Sequence, residues 1–244
     1  MSTLVRVARY HLLRPWATTM VPWANLTFAF LVALVIYAEV PVKHHEVMTS
    51  GGLVSVADAS GRDTGALATI FVSFFVIGIV SVGKSLPFGL TLGMSRRSYY
   101  TGTALFGTAV ALADATGLTV LQAIERATDG WGLKVSFFRV PYLLSGPWYE
   151  TWLTSFVGLA MLFMYGMWFG TVQRRWGLIG TLAFLAAQVT VAVAGVVAVT
   201  WTSAWPAVGD FFLSVTALGL TGLVAALGAA LLAGGHVTIR RATV

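Results

Sequence analysis

The chain has 244 residues, of which 57% are hydrophobic and 10% are charged. Soluble domains carry about 25% charged residues, so this composition excludes a soluble protein and leaves no room for a second, soluble domain. The chain contains no cysteine, which excludes disulfides and thiolate metal sites. The net charge of +6 does not indicate nucleic-acid binding, because the basic residues cluster on one side of the predicted membrane spans.

The first fifteen residues separate arginines and apolar residues onto opposite faces of a helical wheel. Arg6, Arg9 and Arg14 share one face, and the small and aliphatic side chains between them share the other. This pattern predicts an N-terminal amphipathic helix over residues 1–15 that lies in the membrane interface. A frayed basic tail is the alternative. The arginines also interrupt what would be the apolar part of a signal peptide, so a cleaved signal peptide is not predicted.

Six apolar runs follow along the chain, and each is about long enough to cross a hydrocarbon core of ~30 Å. Since lipid offers no water to pair backbone groups, runs of this kind form helices. The predicted fold class is therefore an all-α integral membrane protein with six transmembrane helices in a single domain, 1–244. The predicted spans cover residues 21–40, 66–82, 101–124, 152–172, 178–200 and 211–233.

The basic residues indicate the orientation of these spans. Most lysines and arginines lie before the first run, between the second and third, between the fourth and fifth, or after the sixth. Six crossings place all of these on one side, which the positive-inside rule identifies as the cytoplasm, so both termini are predicted to be cytoplasmic. Arginine outnumbers lysine and small residues are abundant, as in GC-rich bacteria, so the predicted location is the bacterial plasma membrane.

Two long connections, 39–65 and 125–150, lie on the opposite side of the membrane. The second is rich in aromatic residues, which favours an aromatic belt at the outer interface, with a lid over a substrate exit as the alternative. The first contains His44, His45 and Glu46. Adjacent histidines in a flexible loop set no ligand geometry, so no metal site is predicted there.

Residues 78–85 match the phosphate-binding pattern G-x-x-x-x-G-K-[ST] letter for letter. A true phosphate-binding loop joins a buried strand to a helix in a soluble domain. Here the first half of the match lies inside an apolar run, and Pro87 follows it closely. The match from Gly78 to Ser85 is therefore interpreted as fortuitous, no cofactor is expected on this chain, and Lys84 is expected to extend to the cytoplasmic interface.

Two polar residues inside the predicted spans are candidate contacts of a translocation pathway. Asp114 lies in the middle of the third run, where a charged carboxylate is costly, and small residues share its helical face. It is interpreted either as a substrate contact or proton carrier, or as a hydrogen-bonded acid at a helix–helix contact. Gln188 lies on a weaker stripe in the fifth run, where close packing is the favoured interpretation. The spans contain no paired carboxylates or Ser/His array, so no catalytic residue is predicted.

The segment between the second and third runs, residues 84–99, is the most informative part of the sequence. Its proline and glycines break it too often for a membrane span, yet alternate positions keep it too apolar for a solvated loop. A short, half-apolar element on the charged side of a membrane protein predicts a surface that a partner protein binds. The candidate binding residues are Leu86, Phe88, Leu90, Leu92, Met94, Arg96 and Arg97.

The core of this segment, Gly-Met-Ser-Arg-Arg-Ser-Tyr-Tyr at 93–100, resembles a stretch of the ABC-2-type permease subunits of bacterial ABC exporters. Those proteins often carry Leu-Gly-x-(Ser/Thr)-Arg-Arg at this place. The outline of an interfacial helix and six spans with both ends cytoplasmic is also similar to that family. The connection at 201–210 departs from it, because the better-known members of the wider fold carry a sizeable outer element there.

The resemblance implies that residues 84–99 form a cytoplasmic coupling helix that seats in a groove of a separately encoded ATPase. In that family, ATP and Mg on two ATPase copies drive a pair of permease chains, identical or homologous. The exported substrate would be hydrophobic or amphipathic, and membrane lipids would surround the spans. The chain would then form the translocation pathway without being an enzyme itself.

The resemblance also implies roles for individual residues of the coupling segment. Phe88, Leu92 and Met94 would be the apolar anchors in the ATPase groove, while Arg96 and Arg97 would pair with acids or lipid phosphates. The alternative function is a stand-alone ion- or proton-coupled carrier, or a channel, that depends on the carboxylate in the third run.

Overall fold

The structure is a computed structural model that describes residues 19–39, 43–49, 52–58, 67–91, 93–134, 136–139, 144 and 146–240. The two segments 43–49 and 52–58 are described by their backbone alone. The predicted interfacial helix, 1–15, lies outside the described residues, and so does Leu92 of the predicted coupling segment.

The described chain consists of helices joined by one two-stranded hairpin and one π-helical turn. The hairpin lies in the first long connection, 39–65, and its antiparallel register sets Lys43 opposite Asp58 and Thr49 opposite Gly52. In chain order the elements are α1 Val21–Glu39, β1 Lys43–Thr49, β2 Gly52–Asp58, α2 Ala68–Gly83, α3 Leu86–Thr91, α4 Arg96–Ala127, the π-helical turn Gly130–Lys134, α5 Trp148–Trp201, α6 Trp205–Ser214 and α7 Ala217–Arg240.

Four of the described helices, α1, α4, α5 and α7, are long and apolar enough to cross a membrane by length and composition. Helix α2 is also apolar, but with 16 residues it is shorter. The prediction of a helical membrane protein is confirmed at this level, whereas the number of six spans stays a prediction. Besides the helices, the described residues include the short hairpin β1–β2.

Helix α5 contains 54 residues and would measure about 80 Å if it were straight. It is interrupted at Gly177, whose φ of 66° and ψ of −159° are not helical and favour glycine. The first arm, 148–176, and the second arm, 178–201, fold back on each other, with the rings of Trp168 and Phe184 4.9 Å apart. The interruption falls between the fourth and fifth predicted runs.

The sixth predicted run is divided between two helices. Helix α6 ends at Ser214 and α7 begins at Ala217, so the predicted start of this span at residue 211 lies inside α6. The hydroxyl of Thr216 accepts a hydrogen bond from the Gly219 amide at 3.1 Å, which satisfies a free amide at the start of α7. The short connection after the second arm of α5 therefore contains the ten-residue helix α6.

Glycines bring α2 and the first arm of α5 into backbone contact. A Cβ atom on Gly166 would collide with the carbonyl oxygen of Phe75, and one on Gly78 would collide with that of Phe163. A Cβ on Gly170 would likewise come within 2.7 Å of a backbone oxygen of α2. Since lipid provides no hydrophobic drive for helices to associate, close backbone packing of this kind holds a membrane bundle together. This contact is the centre of the bundle.

We expect Gly166→Ala to lower the thermal stability of the purified protein by several degrees. The added methyl group has to push two backbones apart, and overpacking of this kind costs about 1–3 kcal/mol. Size-exclusion chromatography of heated samples in mild detergent measures the midpoint. Gly195→Ala is the matched control, because nothing lies within 4 Å of its added Cβ. Equal loss of stability in the two variants would contradict the prediction.

Candidate functional site

The predicted coupling segment folds into helix α3 and a sharp turn that leads into α4. At this turn Gly93 has a φ of 76° and its amide donates to the Leu90 carbonyl at 2.9 Å. The Met94 amide donates to the Gly89 carbonyl at 3.2 Å. This pair of bonds is the Schellman arrangement, in which a left-handed residue after the helix satisfies its last carbonyls. Glycine adopts that conformation at little cost.

The residues after the turn attach α3 to both neighbouring helices. Ser95 caps α4, because its side chain accepts a hydrogen bond from the Ser98 amide at 3.1 Å. Tyr99 is fully buried, and its hydroxyl donates to the Ser81 carbonyl at 2.8 Å. Its ring lies against α3, where a Cβ on Gly89 would come within 2.5 Å. Tyr99 therefore supports α3 and also ties α4 to the end of α2.

Four of the predicted partner-binding residues remain at least partly exposed in this arrangement: Phe88, Leu90, Arg96 and Arg97. Phe88 is 52% exposed. Arg97 is exposed and Arg96 is partly exposed at the start of α4. The structure thus presents one aromatic side chain and two guanidinium groups at the end of the bundle that carries α3.

The other apolar residues of the segment face inward. Leu86 and Met94 are 3% and 9% exposed and belong to the hydrophobic core, and Leu90 is partly buried against that core. Met94, expected to be an apolar anchor in a partner's groove, is instead packed inside this chain. Leu92 lies outside the described residues, so Phe88 is the anchor that the described segment exposes.

The turn between the two arms of α5 lies beside this element. The end of α2 contacts the end of the first arm, since a Cβ on Gly83 would lie 3.4 Å from the Gln173 side chain. The Arg175 guanidinium stands 4.3 Å from the centre of the Trp176 ring, a cation–π contact, and that indole is 51% exposed. Helix α3 and the Gly177 turn together form the basic, aromatic end of the bundle.

The residues of the phosphate-loop match have a helical geometry. The stretch from Gly78 to Gly83 belongs to α2, and the Lys84 amide donates to the Val80 carbonyl at 3.0 Å as the helix ends. The described strands lie in the outer hairpin, so the described chain has no strand leading into the match. A phosphate-binding loop needs a strand–loop–helix arrangement, which these residues do not form.

The histidines of the first outer connection lie on strand β1. His44, His45 and Glu46 are described there by their backbone alone. Elsewhere in the described part of the chain, no group of three or more His, Asp or Glu residues is arranged to hold a metal ion.

Asp114 is 4% exposed and lies where α4 meets α1. The indole nitrogen of Trp23 donates to Asp114 Oδ1 at 3.0 Å. Gly117 makes room for this indole, because a Cβ there would come within 2.6 Å of the ring. The second oxygen, Oδ2, has no hydrogen-bond partner among the described residues. Sequence reasoning identified the acid but missed its tryptophan partner, which nothing in the spacing of the first run distinguishes from a core residue.

Gln188 lies in the second arm of α5 and contacts the first arm. The Tyr165 hydroxyl donates to its side-chain oxygen, and the Phe75 ring packs 5.2 Å from the Tyr165 ring. The side-chain nitrogen of Gln188 has no partner among the described residues. Asp114 and Gln188 thus make contacts with different helices, and the structure describes two separate polar contacts instead of one shared site.

An open groove of about 890 Å³ lies between α1 and α2. Phe28, Val32 and Val76 contribute to its apolar walls, and Asn25 donates to the hydroxyl of Ser73 across it at 3.1 Å. Sequence reasoning did not find this groove, because it depends on how two helices pair. The signal available in the sequence was an asparagine, Asn25, inside the first predicted span.

The C-terminal end of α4 carries a buried carboxylate that sequence reasoning also missed. Glu125 is fully buried and accepts hydrogen bonds from the amides of Phe137 and Phe138 at 2.9 and 2.8 Å. Arg139 Nε forms an ion pair with it at 3.0 Å, and Trp131 Nε1 approaches it at 3.4 Å. These four donors fold the second outer connection back onto the end of α4.

The aromatic residues of this connection divide into two groups. Phe137 and Trp131 pack around Phe30 of α1, with ring centroids 5.0 and 4.8 Å from it. Trp148 and Tyr149 are 68% and 51% exposed at the start of α5. Exposed rings at a helix end fit an interfacial belt, whereas the inner group is part of the protein core.

No protein-family model matches the chain. Neither a curated protein nor a solved structure matches it. The geometry of the chain and the motif resemblance are therefore the grounds for a functional proposal.

We expect Glu125→Gln to loosen the second outer connection. The substitution removes the negative charge that Arg139 and two backbone amides bind, and hydrogen bonds to a charged group contribute about 1.5–3 kcal/mol. Limited proteolysis of the purified protein should cleave this connection several times faster in the variant. Glu39→Gln is the control, because Glu39 is exposed at the end of α1. Unchanged cleavage in Glu125→Gln would rule out an anchoring role.

Proposed function

We propose that the chain is the membrane-spanning permease subunit of an ATP-driven exporter of ABC-2 type. In this proposal α1, α2, α4, the two arms of α5, and α7 are the six spans, and α3 faces the cytoplasm. ATP and Mg bind to a separate ATPase, and this chain supplies the pathway for a hydrophobic or amphipathic substrate. Two permease chains, identical or homologous, would pair with two ATPase copies in the bacterial plasma membrane.

The observation that carries the proposal is the exposure of Phe88 on a short helix that is otherwise firmly attached. The Schellman turn at Gly93 and the support of Tyr99 hold α3 in one orientation. Aromatic residues and arginine are the residue types enriched at protein–protein interfaces, and on the proposed cytoplasmic side the Phe88 ring would face water until a partner covers it. Arg97, exposed at the start of α4, supplies positive charge for acidic groups of a partner.

The attachment of α3 suggests how a partner's movement would reach the spans. Tyr99 links α3 to α4 and, through the Ser81 carbonyl, to α2. Helix α2 is in turn packed backbone to backbone on α5. Closure of the ATPase pair would therefore displace α3 together with the helices it is attached to. The result would be a shift in population between inward-open and outward-open states of the permease pair.

We expect the wild-type chain to co-purify in mild detergent with the ATPase encoded beside it, and Phe88→Asp to lose that partner. A charge cannot enter an apolar groove without a large desolvation cost, so binding should fall at least tenfold. Phe88→Leu is the matched control and should retain the ATPase, because it keeps an apolar side chain of similar reach. Retention of the ATPase by properly inserted Phe88→Asp would contradict the proposal.

A second candidate function is a stand-alone proton- or ion-coupled carrier. The observation that favours it is Asp114 Oδ2, which is buried inside a predicted span without a partner among the described residues. Purified chain in liposomes would then transport without ATP, and Asp114→Asn would abolish the flux. A chain that moves nothing unless the ATPase and ATP are present would exclude this function.

A further inference from the structure

The groove between α1 and α2 has the size and lining of a site for an apolar molecule. Its volume of about 890 Å³ falls in the usual range for small-molecule sites, ~300–1,000 Å³. Phe28, Val32 and Ile36 contribute one wall, and Val72 and Val76 contribute the other. No lysine, arginine, aspartate or glutamate is among the described residues that line it.

Four polar residues interrupt these apolar walls: Asn25, Tyr37, Thr69 and Ser73. The side chains of Asn25 and Ser73 form a hydrogen-bonded pair across the groove. The Ser73 hydroxyl donates to the Thr69 carbonyl at 2.8 Å and accepts from the Asn25 side-chain nitrogen at 3.1 Å. This arrangement uses the hydroxyl proton of Ser73 and holds the Asn25 side chain in a fixed orientation. Because its nitrogen is engaged by Ser73, the amide oxygen of Asn25 is the acceptor that remains for a ligand.

An exposed asparagine on a membrane span is costly unless its hydrogen bonds are made. Lipid acyl chains offer no donor, and an unsatisfied polar group in hydrocarbon costs several kcal/mol. Asn25 is exposed within α1, which is one of the helices apolar enough to cross a membrane. A bound molecule that donates one hydrogen bond to Asn25 would remove this cost, and a purely apolar molecule would not.

We infer that the groove between α1 and α2 is the cargo-binding site, and that it takes an elongated apolar molecule with one uncharged hydrogen-bond donor such as a hydroxyl. This inference rests on the proposed export function and adds a site and a substrate class to it. The apolar walls hold the chain of the molecule, and Asn25 recognises its donor. The absence of charge among the described lining residues disfavours an ionised headgroup, which would enter without a counter-charge.

The position of the groove also connects binding with the coupling end of the bundle. Helix α2 forms one wall, and its far end accepts the Tyr99 hydrogen bond at Ser81. A displacement of α2 relative to α1 would change the width of the groove. The same helix thus faces the cargo at one end and is attached to α3 at the other.

The test is photolabelling of the full chain in phosphatidylcholine nanodiscs with photoreactive hexadecanol, alongside the matching photoreactive hexadecane. We expect hexadecanol to label peptides of α1 and α2 in preference to other lipid-facing helices. Asn25→Leu, similar in size but without a hydrogen-bonding group, should lower hexadecanol labelling about fivefold, the effect of one hydrogen bond. Labelling by hexadecane should not change in this variant.

Two further variants make the result decisive. Val32→Trp places a large ring in the groove and should lower labelling by both probes. Leu182→Trp, on the exposed face of the second arm of α5, should change neither. Equal labelling of all lipid-facing helices, or full labelling of Asn25→Leu by hexadecanol, would overturn the inference and leave only ordinary acyl-chain contact. Occupation of the groove by a second copy, seen as cross-linked dimers without probe labelling, would overturn it as well.

The labelling contains no ATPase, so its outcome is independent of the exporter proposal. Specific labelling together with failed ATPase co-purification would overturn the proposed function and leave the site standing. Successful co-purification without specific labelling would support the proposed function and overturn the binding site.

Discussion

The backbone contact between α2 and the first arm of α5 is the constraint on which the rest of the bundle depends. Gly78 and Gly166 allow the two helices to approach until a Cβ on either would strike a carbonyl oxygen. In lipid, helices gain little from hiding apolar side chains, so such close packing has to supply the association energy. Fixing α2 against α5 sets the position of α3 at one end and of the groove beside α1 along its length.

Helix α2 contributes to both proposed functional surfaces. In the proposed mechanism, a displacement of this helix links the two surfaces. At the basic end, Tyr99 holds α3 so that Phe88 stays exposed. Along its other face, Ser73 binds Asn25 across the groove. A rigid helix packed through its backbone transmits a displacement with little loss, because bundle interiors shift between discrete packings instead of deforming gradually.

Sequence patterns predicted the helical membrane class, the short element before α4 and the break between the fourth and fifth runs. These features were predictable because each depends on a short stretch of sequence: the length of an apolar run, a glycine, or a cluster of charged residues. The faces of α3 were not predictable, since Leu86, Phe88, Leu90, Leu92 and Met94 alternate with a period of two. A helix has a period of 3.6, so alternation does not say which side is buried. Leu86 and Met94 proved to be core residues.

Local sequence patterns also did not predict hydrogen-bond partners that are distant in the sequence. Trp23 and Asp114 are 91 residues apart, and the amide donors of Glu125 lie in an irregular connection 12 and 13 residues beyond it. Neither spacing corresponds to a helix or strand repeat. The groove between α1 and α2 likewise requires the pairing of two helices that the sequence alone does not orient. The asparagine of α1 was the residue in the sequence that pointed to this groove. Its role can be inferred only from its hydrogen bond to Ser73, which the structure shows.

The exposure of Phe88 to a partner is the central claim, and the absence of native cysteine allows it to be tested with a single label. Phe88→Cys in inverted membrane vesicles would be treated with a membrane-impermeant maleimide, with and without the co-expressed ATPase. The account predicts rapid labelling of the chain alone, which establishes a cytoplasmic α3, and strong protection when the ATPase is present. Equal labelling in both samples would contradict ATPase docking at α3, and no labelling in either would contradict its cytoplasmic exposure.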